Sequence, residues 1–334
     1  MPMPAFLSRF ALSALLLGAA APAQAMDGPA LGYDVTGLAA DDAAPLRPEP
    51  LLPAPAYLQD RDIDDAILLP TRGPDGDEGR KWSRDYISIA GGVITAPSYN
   101  GSDDRVILPA FYLRGRLSGF SFSTRGTNFQ VDLIRQKRGQ KTDLKFGPII
   151  NLRSDRTGRI KDAQVEALGE KKVAVELGVS AGITHTGIVT SGYDQVGLRV
   201  VGLADISGKH GSWVVSPTVD YGTPLSKRAF IGISASVNVY GKGFGRYYFD
   251  IDPLGSAASG LPVYTGAGTK VTAGKYTLGI AGAYGLSGDL REGFVLIGGA
   301  QYGRMLGRYA ASPIVADAGD ADQWLAGIGV AYQF

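Results

Sequence analysis

The chain has 334 residues, a formal net charge of +1 and no cysteine. The balanced charge argues against a nucleic-acid-binding protein, which would carry a clustered basic surface. The absence of cysteine excludes disulfide scaffolds, zinc–thiolate sites and cysteine nucleophiles. A mean hydropathy of +0.02 excludes a bundle of membrane helices. It leaves room for a β-barrel, in which only alternate residues face lipid.

The first 25 residues have the features of a cleaved export signal. Arg9 supplies a positive charge, 10–21 is an apolar run rich in alanine and leucine, and Ala23-Gln24-Ala25 is a small-x-small cleavage site. The run is shorter than the roughly 20 apolar residues that a membrane helix needs. We therefore predict a signal peptide over 1–25 and an exported mature chain that begins at Met26.

The next segment, 26–83, differs from the rest of the chain in composition. It combines acidic clusters with many prolines, namely Pro45, Pro48, Pro50, Pro53, Pro55, Pro70 and Pro74. Proline removes backbone donors and favours extended conformations, and the low apolar content cannot offset the entropy lost on ordering. We predict a disordered periplasmic extension. Its composition favours a plain linker over an arm that binds a partner.

From residue 84 to the end, short segments alternate apolar and small or polar residues with a period of two. Such alternation predicts strands with one apolar face. In the final segment every second residue back from Phe334 is apolar or aromatic, which resembles the closing strand of an outer-membrane barrel. Two short segments flank Gly126, and the other predicted strands are 85–95, 105–113, 142–153, 171–184, 193–205, 213–221, 231–239, 276–284, 294–302 and 322–334.

A soluble β-sandwich would show the same alternation, so other features must decide. Most of these segments have roughly the 9–11 residues that cross a bilayer at a tilt. The face opposite the apolar one is glycine, serine, threonine and asparagine with an occasional charge, such as Glu176 or Asp220. Several segments begin or end on aromatic residues, as an interfacial girdle requires: Trp213, Tyr221, Tyr240, Tyr276, Tyr284 and Trp324. The sequence therefore predicts an all-β protein, a transmembrane antiparallel β-barrel over 84–334.

The connections support about twelve strands. In a barrel that starts and ends in the periplasm, long outer loops alternate with short inner turns. With twelve strands the three longest connections, 154–170, 242–270 and 307–321, all fall on the outer side. Ten strands remain an alternative if the two short segments around Gly126 do not cross the membrane.

The sequence offers no catalytic, cofactor-binding or metal-ligating residues. Its two histidines, His185 and His210, fall in connections predicted at opposite ends, away from any carboxylate cluster in the sequence. Residues 241–245 are glycine-rich but lack the following helix and the Gly-Lys-Ser/Thr ending of a phosphate loop, so we interpret them as a flexible outer loop. The acidic residues at 75–78 lack the spacing of a calcium loop. We predict that the protein is not an enzyme.

Three motifs give a resemblance. Residues 96–104 read APSYNGSDD, 256–264 read SAASGLPVY, and Ser312-Pro313-Ile314-Val315 precedes a terminal GxxYxF ending. Together they resemble the MipA/OmpV family, the family of the MltA-interacting protein, over about 85–334. The segment 26–81 lies outside the resemblance.

The resemblance implies a non-catalytic scaffold in the outer membrane. Its expected partners, besides outer-membrane lipid, are a lytic transglycosylase and a bifunctional murein synthase. The resemblance carries over no contact residues; from the sequence itself we expect the contact surfaces to be inner turns such as 135–141 and the acidic extension. Two alternatives remain open: a small-solute channel, because the inward face is polar, and a surface adhesin that uses the connection 242–270. The oligomeric state stays open.

Overall fold

The computed structural model describes residues 86–118, 120–135, 141–290 and 293–333. These residues form twelve strands. Their bounds are β1 Tyr86–Pro97, β2 Arg105–Leu117, β3 Phe120–Arg125, β4 Asn128–Asp132, β5 Thr142–Arg153, β6 Ala174–Thr186, β7 Gln195–Asp205, β8 Trp213–Pro224, β9 Ala229–Tyr240, β10 Thr272–Gly285, β11 Gly293–Met305 and β12 Asp322–Gln333.

The strands close into one antiparallel barrel. Each strand pairs with its neighbours in sequence, and β12 returns to pair with β1, where Val93 lies opposite Ile328 and Gly92 opposite Gly329. Closure gives every strand two neighbours, which limits the free sheet edges that would leave backbone groups without partners in lipid. The predicted all-β barrel, its strand number and the closing role of the last strand are confirmed.

The wall presents its apolar residues outward. On β6, Val179 is 51% exposed while Glu176, three positions earlier on the opposite face, is fully buried. The same division holds on β10 and β12, where Ile280 and Ile328 are about half exposed. A closed sheet with an apolar outer face is the arrangement that a bilayer requires of a β-barrel.

The lumen is less polar than the sequence suggested. One cluster inside the wall joins Ile94, Val106, Leu108 and Leu325 near one end of the barrel. A second, near the other end, is Ala90, Phe230, Ala283, Leu290, Val295, Ile297 and Ala331. Parts of the lumen are therefore filled by packed apolar side chains, as the interiors of small barrels are.

The predicted aromatic girdle was wrong for one residue, Tyr240, which faces the inside of the barrel. Trp213, Tyr284 and Trp324 are exposed on the outer face, as predicted. Tyr240 is instead 4% exposed and stacks on Phe244, with ring centroids 4.1 Å apart. Its parity along β9 is that of the inward residues, so alternation, rather than position at a strand end, determines which face it occupies.

The hairpin of β3 and β4 is the shortest part of the wall. β3 pairs with β2 only over Arg114–Leu117, and β4 pairs with β5 only over three residues. Beyond that ladder, the Thr124 hydroxyl accepts a 2.8 Å hydrogen bond from the backbone N–H of Leu113. Farther along β2 lies Pro109, a residue that lacks a backbone donor and is tolerated at a sheet edge. The hairpin counts toward the twelve strands although it is shorter than the others.

The connections differ sharply between the two ends of the barrel. We call the end that holds the start of β1 and the end of β12 the inner end, and the opposite end the outer end. Every long connection lies at the outer end, as predicted. These connections hold short helices that the absence of a helical period had not predicted: α1 Ala163–Ala167, α2 Lys242–Tyr248, α3 Pro253–Ser259, α4 Gly307–Ala310 and α5 Pro313–Ala316.

Two predicted regions lie outside the described residues: the signal peptide over 1–25 and the whole extension over 26–83. Both stay predictions. Among the described residues, no helix is long and apolar enough to cross a membrane.

Candidate functional site

The outer end of the barrel is closed by a compact structure that we call the cap. It consists of the four connections 98–104, 154–173, 241–271 and 306–321. Of the largest fully buried side chains among the described residues, all but Leu108, Met305 and Glu176 lie in the cap. The main apolar core of the protein is therefore at the mouth of the barrel.

The cap connections meet one another across the barrel mouth. One cluster takes Tyr99 from the first connection, Val165 from the second, Leu261 from the third and Ile314 from the fourth. The second connection joins β5 to β6, about half the barrel away from β11 and β12, which flank the fourth. Connections from opposite sides of the wall can share one core only if they extend over the lumen.

The three family-like motifs supply this core. The Tyr99 hydroxyl donates a 2.5 Å hydrogen bond to the carbonyl of Ala318. The backbone N–H of Gly101 donates to Gln323 Oε1 (3.1 Å), and Gln323 Nε2 donates to the carbonyl of Ser102 (3.1 Å). The motif at 96–104 is thus largely buried and joins the end of β1 to the start of β12.

Local sequence chemistry shapes the cap connections. The Asp252 carboxylate caps the N-terminus of α3 by accepting from Gly255 N (2.6 Å), and Pro253 occupies the first turn. Gly260 ends the same helix at φ 76°, a conformation that favours glycine. Gly101 has φ 98°, and an added Cβ would lie 2.5 Å from Val315 Cγ2. Both glycines are required by backbone geometry and by close packing.

Two cations stabilise the second cap connection against the third. The Arg156 guanidinium donates from Nη1 to the carbonyl of Tyr248 (3.0 Å), and burial lowers the pKa of Arg156. Lys171 Nζ lies 5.0 Å from the centre of the Tyr247 ring. Burial, with the nearby Arg156 charge acting in the same direction and Asp252 opposing it, lowers the pKa of Lys171 to about 8.

Beneath the cap lies a buried charge cluster centred on Glu176. Arg153 donates to both carboxylate oxygens, from Nε to Oε1 (2.7 Å) and from Nη2 to Oε2 (3.0 Å). Asn151 Nδ2 donates to Oε2 (2.7 Å), and His210 Nε2 lies 2.9 Å from Oε1. Burial of a carboxylate is tolerated when it is paired and hydrogen-bonded in this way.

Aromatic rings cover this cluster. The Arg153 guanidinium lies over the Phe244 ring of α2, 5.0 Å from the centre of that ring. The rings of Phe244 and His210 meet edge to face, with their centroids 5.5 Å apart. The connection that carries His210 is fixed by Asp205, whose carboxylate accepts from the backbone N–H groups of His210 and Gly211. The cluster thus joins β5, β6, the connection between β7 and β8, and the cap.

Sequence reasoning missed this cluster. It placed the two histidines at opposite ends, which is right, because His185 contacts Thr142 at the inner end. No carboxylate cluster lies near His210 in the sequence, but the structure places Glu176, which is 34 positions away, within hydrogen-bonding distance of the His210 ring. The glycine-rich stretch 241–245 is not a flexible loop; it begins α2. The inward parity of Glu176 on an alternating strand was the only available signal.

The charge cluster does not have the composition of a metal site. Among the described residues, no group of three or more histidine, aspartate or glutamate side chains is arranged to hold a metal ion. The hydrogen-bonding groups around Glu176 are instead arginine, asparagine and one histidine. The arrangement can fix the cap on the wall, which is a structural role.

Comparison with solved structures finds distant barrels. The chain is similar to an outer membrane channel from Pseudomonas putida F1, with 13% identity, a TM-score of 0.37, and coverage of 82% of this chain and 100% of that one. It is similar to the toluene transporter TodX of Pseudomonas putida, with 9% identity, a TM-score of 0.35, and coverage of 84% and 96%. A third is the translocator domain of the autotransporter NalP from Neisseria meningitidis, with 14% identity, a TM-score of 0.29, and coverage of 75% and 88%.

Comparison with curated proteins finds no match. A family model does match: the one described as MltA-interacting protein MipA covers residues 89–334, which is nearly all of the barrel. The matched region contains the cap, the charge cluster and the apolar outer wall described above. The chain is an outer-membrane β-barrel and belongs to the MltA-interacting protein MipA family.

Proposed function

We propose that the protein is an outer-membrane scaffold that links a lytic transglycosylase and a bifunctional murein synthase to the membrane. The observation that carries the proposal is the family match, because the family is described by its interaction with the MltA protein. The proposal assigns no catalytic step to this chain.

The contrast between the two ends of the barrel supports a partner on the inner side. At the outer end most large apolar residues of the cap are buried among themselves, although Leu254 and Val263 are exposed. The inner turns expose theirs: Leu133, Ile188, Val189, Leu225 and Leu286 are each more than half exposed. Exposed apolar side chains grouped at one end of a molecule favour a protein contact there.

Basic residues lie in the same turns. Arg135 starts the predicted contact turn, and its guanidinium lies 4.8 Å from the centre of the Phe120 ring. Residues 136–140 of that turn lie outside the described residues. Lys227 and Arg228 occupy the turn between β8 and β9. Basic groups beside apolar ones suit a partner with an acidic contact surface.

A crosslinked pull-down with purified enzymes tests the scaffold. Detergent-solubilised protein would be compared with a version lacking 26–83, with an inner-turn variant (Ile188→Ser with Val189→Ser), and with the matched outer variant Leu254→Ser, whose leucine is 81% exposed in the cap. We expect the wild type and Leu254→Ser to retain a lytic transglycosylase or a murein synthase, and the inner-turn variant to lose it. If no version retains either enzyme, the scaffold function is wrong.

A small-solute channel is the second candidate. The observation in its favour is the inward face of β6, where Gly178, Ser180, Gly182 and Thr184 are small or polar and remain partly exposed. The cap argues against a channel, because the cap connections cross the mouth of the barrel. Recordings in planar bilayers would compare the wild type with a variant in which 241–271 is replaced by a short turn. An absence of reproducible openings in both would rule out the channel.

A further inference from the structure

The barrel wall has an opening beside the outer half of β2, which we call the notch. The β2–β3 ladder ends where Arg114 lies opposite Ser123. One step farther, the Thr124 hydroxyl accepts from the N–H of Leu113 (2.8 Å) and donates to its carbonyl (3.3 Å). The hairpin then turns back toward the inner end. Residues 105–111 of β2 extend past it, and among the described strands they pair with β1 alone.

Side-chain exposure shows the same opening. Ile107 and Phe111 point outward from β2 and are 74% and 63% exposed. Ile233 also points outward but has a paired strand on each side, and it is 51% exposed. Toward the outer end the notch is closed by the cap, because the backbone N–H of Asn100 donates to Asp155 Oδ1 (3.0 Å) and joins the connection before β2 to the one after β5.

The free edge of β2 carries backbone donors. The N–H and the carbonyl of Leu113 face the hairpin, and these groups alternate sides along an antiparallel strand. The N–H groups of Ile107 and Phe111 therefore face the notch, and neither has a partner among the described residues. Pro109, between them, has no N–H. A free N–H in hydrocarbon costs free energy because no water accepts from it, so the occupant of the notch must supply an acceptor.

The sequence of β2 indicates the depth of the notch in the membrane. Arg105, at the outer end of the strand, is exposed, and its Nε donates to the Thr95 hydroxyl (3.2 Å). The next outward residues, Ile107, Pro109 and Phe111, are apolar and exposed. This change from charged to apolar marks the boundary between lipid headgroups and acyl chains. Ile107 lies about 7 Å along the strand from Arg105, level with the ester groups of a lipid.

Another β-strand is a poor occupant of the notch. Pro109 interrupts the donors in the middle of the free edge, and proline at a strand edge hinders pairing. A second copy of the barrel in the same membrane would have the same orientation. Because barrel strands tilt by roughly 35–45°, the β2 edges of two copies would diverge by about 70–90° and could not form a ladder.

We propose that the notch binds a diacyl ester lipid of the outer leaflet. An ester carbonyl oxygen of the lipid accepts from the N–H of Ile107. One acyl chain lies against Pro109 and Phe111 and fills the space past the end of the hairpin. The site is in the outer half of the wall, away from the enzyme contact proposed at the inner end, and does not depend on it.

A competition between two lipids tests the site. The full-length mature protein is placed in bilayer nanodiscs that hold equal amounts of an ester-linked phosphatidylcholine and its ether-linked analogue, which has the same chains but no ester carbonyl. After release into mild detergent, native mass spectrometry counts each lipid retained on the protein. Hydrogen–deuterium exchange of the Ile107 amide is followed in bilayers of either lipid alone.

The variant Ile107→Pro removes the free donor without losing a ladder bond, because this N–H faces away from β1. Ile107→Val is the matched control that keeps the donor. Heat-dependent migration on gels checks that each variant retains the folded barrel.

We expect the wild type and Ile107→Val to retain one ester lipid, enriched about three- to tenfold over the ether analogue, as one hydrogen bond provides. Ile107→Pro should retain the two lipids equally. The Ile107 amide of the wild type should exchange more slowly in the ester bilayer than in the ether bilayer. Equal retention of both lipids by the folded wild type, or of neither, overturns the site, as does an unchanged ester preference in Ile107→Pro. Equally rapid exchange of the Ile107 amide in both bilayers would assign the notch to water and overturn the lipid as its occupant.

Discussion

The cap connections and the inner turns both join neighbouring strands, but the contacts that hold them come from different distances along the chain. In the cap, partners come from distant parts of the chain: the hydrogen bond from Tyr99 to Ala318 spans 219 residues. The inner turn between β6 and β7 is instead held largely by its own residues. In the turn after β6, the Asp194 carboxylate accepts from the backbone N–H groups of Ile188 and Val189, at 3.0 and 2.9 Å.

This difference determines what each end of the barrel tolerates. Contacts between distant segments form and break together, so one lost contact in the cap weakens the others. A turn closed by its own aspartate can change its exposed side chains without disturbing the wall. The inner end is therefore the part of the molecule where a contact surface can vary while the barrel stays folded.

The largest expected effect comes from the Glu176 cluster. Changing Glu176 to glutamine leaves the Arg153 charge buried without its counter-ion, and breaking a buried pair in this way costs about 3–5 kcal/mol. We expect the cap to open at lower denaturant concentration, measured as loss of near-ultraviolet circular dichroism from its buried tyrosines. Trypsin cleavage at Lys242 and Arg246 of α2 should accelerate at the same time.

The matched control is Glu166→Gln, because Glu166 is an exposed glutamate on α1 of the same cap. It should leave the unfolding curve unchanged, as surface substitutions usually do. Replacing both Glu176 and Arg153 with apolar residues should recover part of the lost stability, since the buried charge is then gone. An unchanged curve for Glu176→Gln would contradict the assigned role of the cluster.

A smaller effect is expected from pH, through Lys171. Its pKa is lowered from 10.5 to about 8 in the folded cap. The unfolded chain therefore binds more protons between these values, and the free energy of unfolding rises with pH across that window. With screening by nearby solvent, the gain is on the order of 2 kcal/mol.

Denaturant unfolding of the wild type and Lys171→Met, between about pH 7 and about pH 9.5, checks this expectation. The wild type should become more stable as the pH rises. Lys171→Met should lose most of that slope, while Lys172→Met serves as the neighbouring control. Parallel pH profiles for the wild type and Lys171→Met would show that the cap does not depend on this titration.

The barrel was predictable because lipid imposes a period of two on every strand, and the sequence shows that period directly. The cap was not predictable, because its helices have four to seven residues and no repeated pattern. The pairing of His210 with Glu176 depends on spatial neighbours that the sequence does not show. The inward orientation of Tyr240, in contrast, follows from its parity along β9 and could have been predicted. The resemblance located the cap motifs, and only the structure showed that they contact one another.

Two tyrosines provide the finest comparison within the cap. Removing the hydroxyl of Tyr99 leaves the buried Ala318 carbonyl without this partner, so Tyr99→Phe should cost about 1–2 kcal/mol. Tyr309 is also fully buried, but its hydroxyl has no partner among the described residues, so Tyr309→Phe should be neutral or stabilising. Denaturant unfolding of the two single variants and the double variant measures both effects. Equal effects of the two variants on the free energy of unfolding would contradict a net contribution of the Tyr99–Ala318 hydrogen bond, since only Tyr99 makes one.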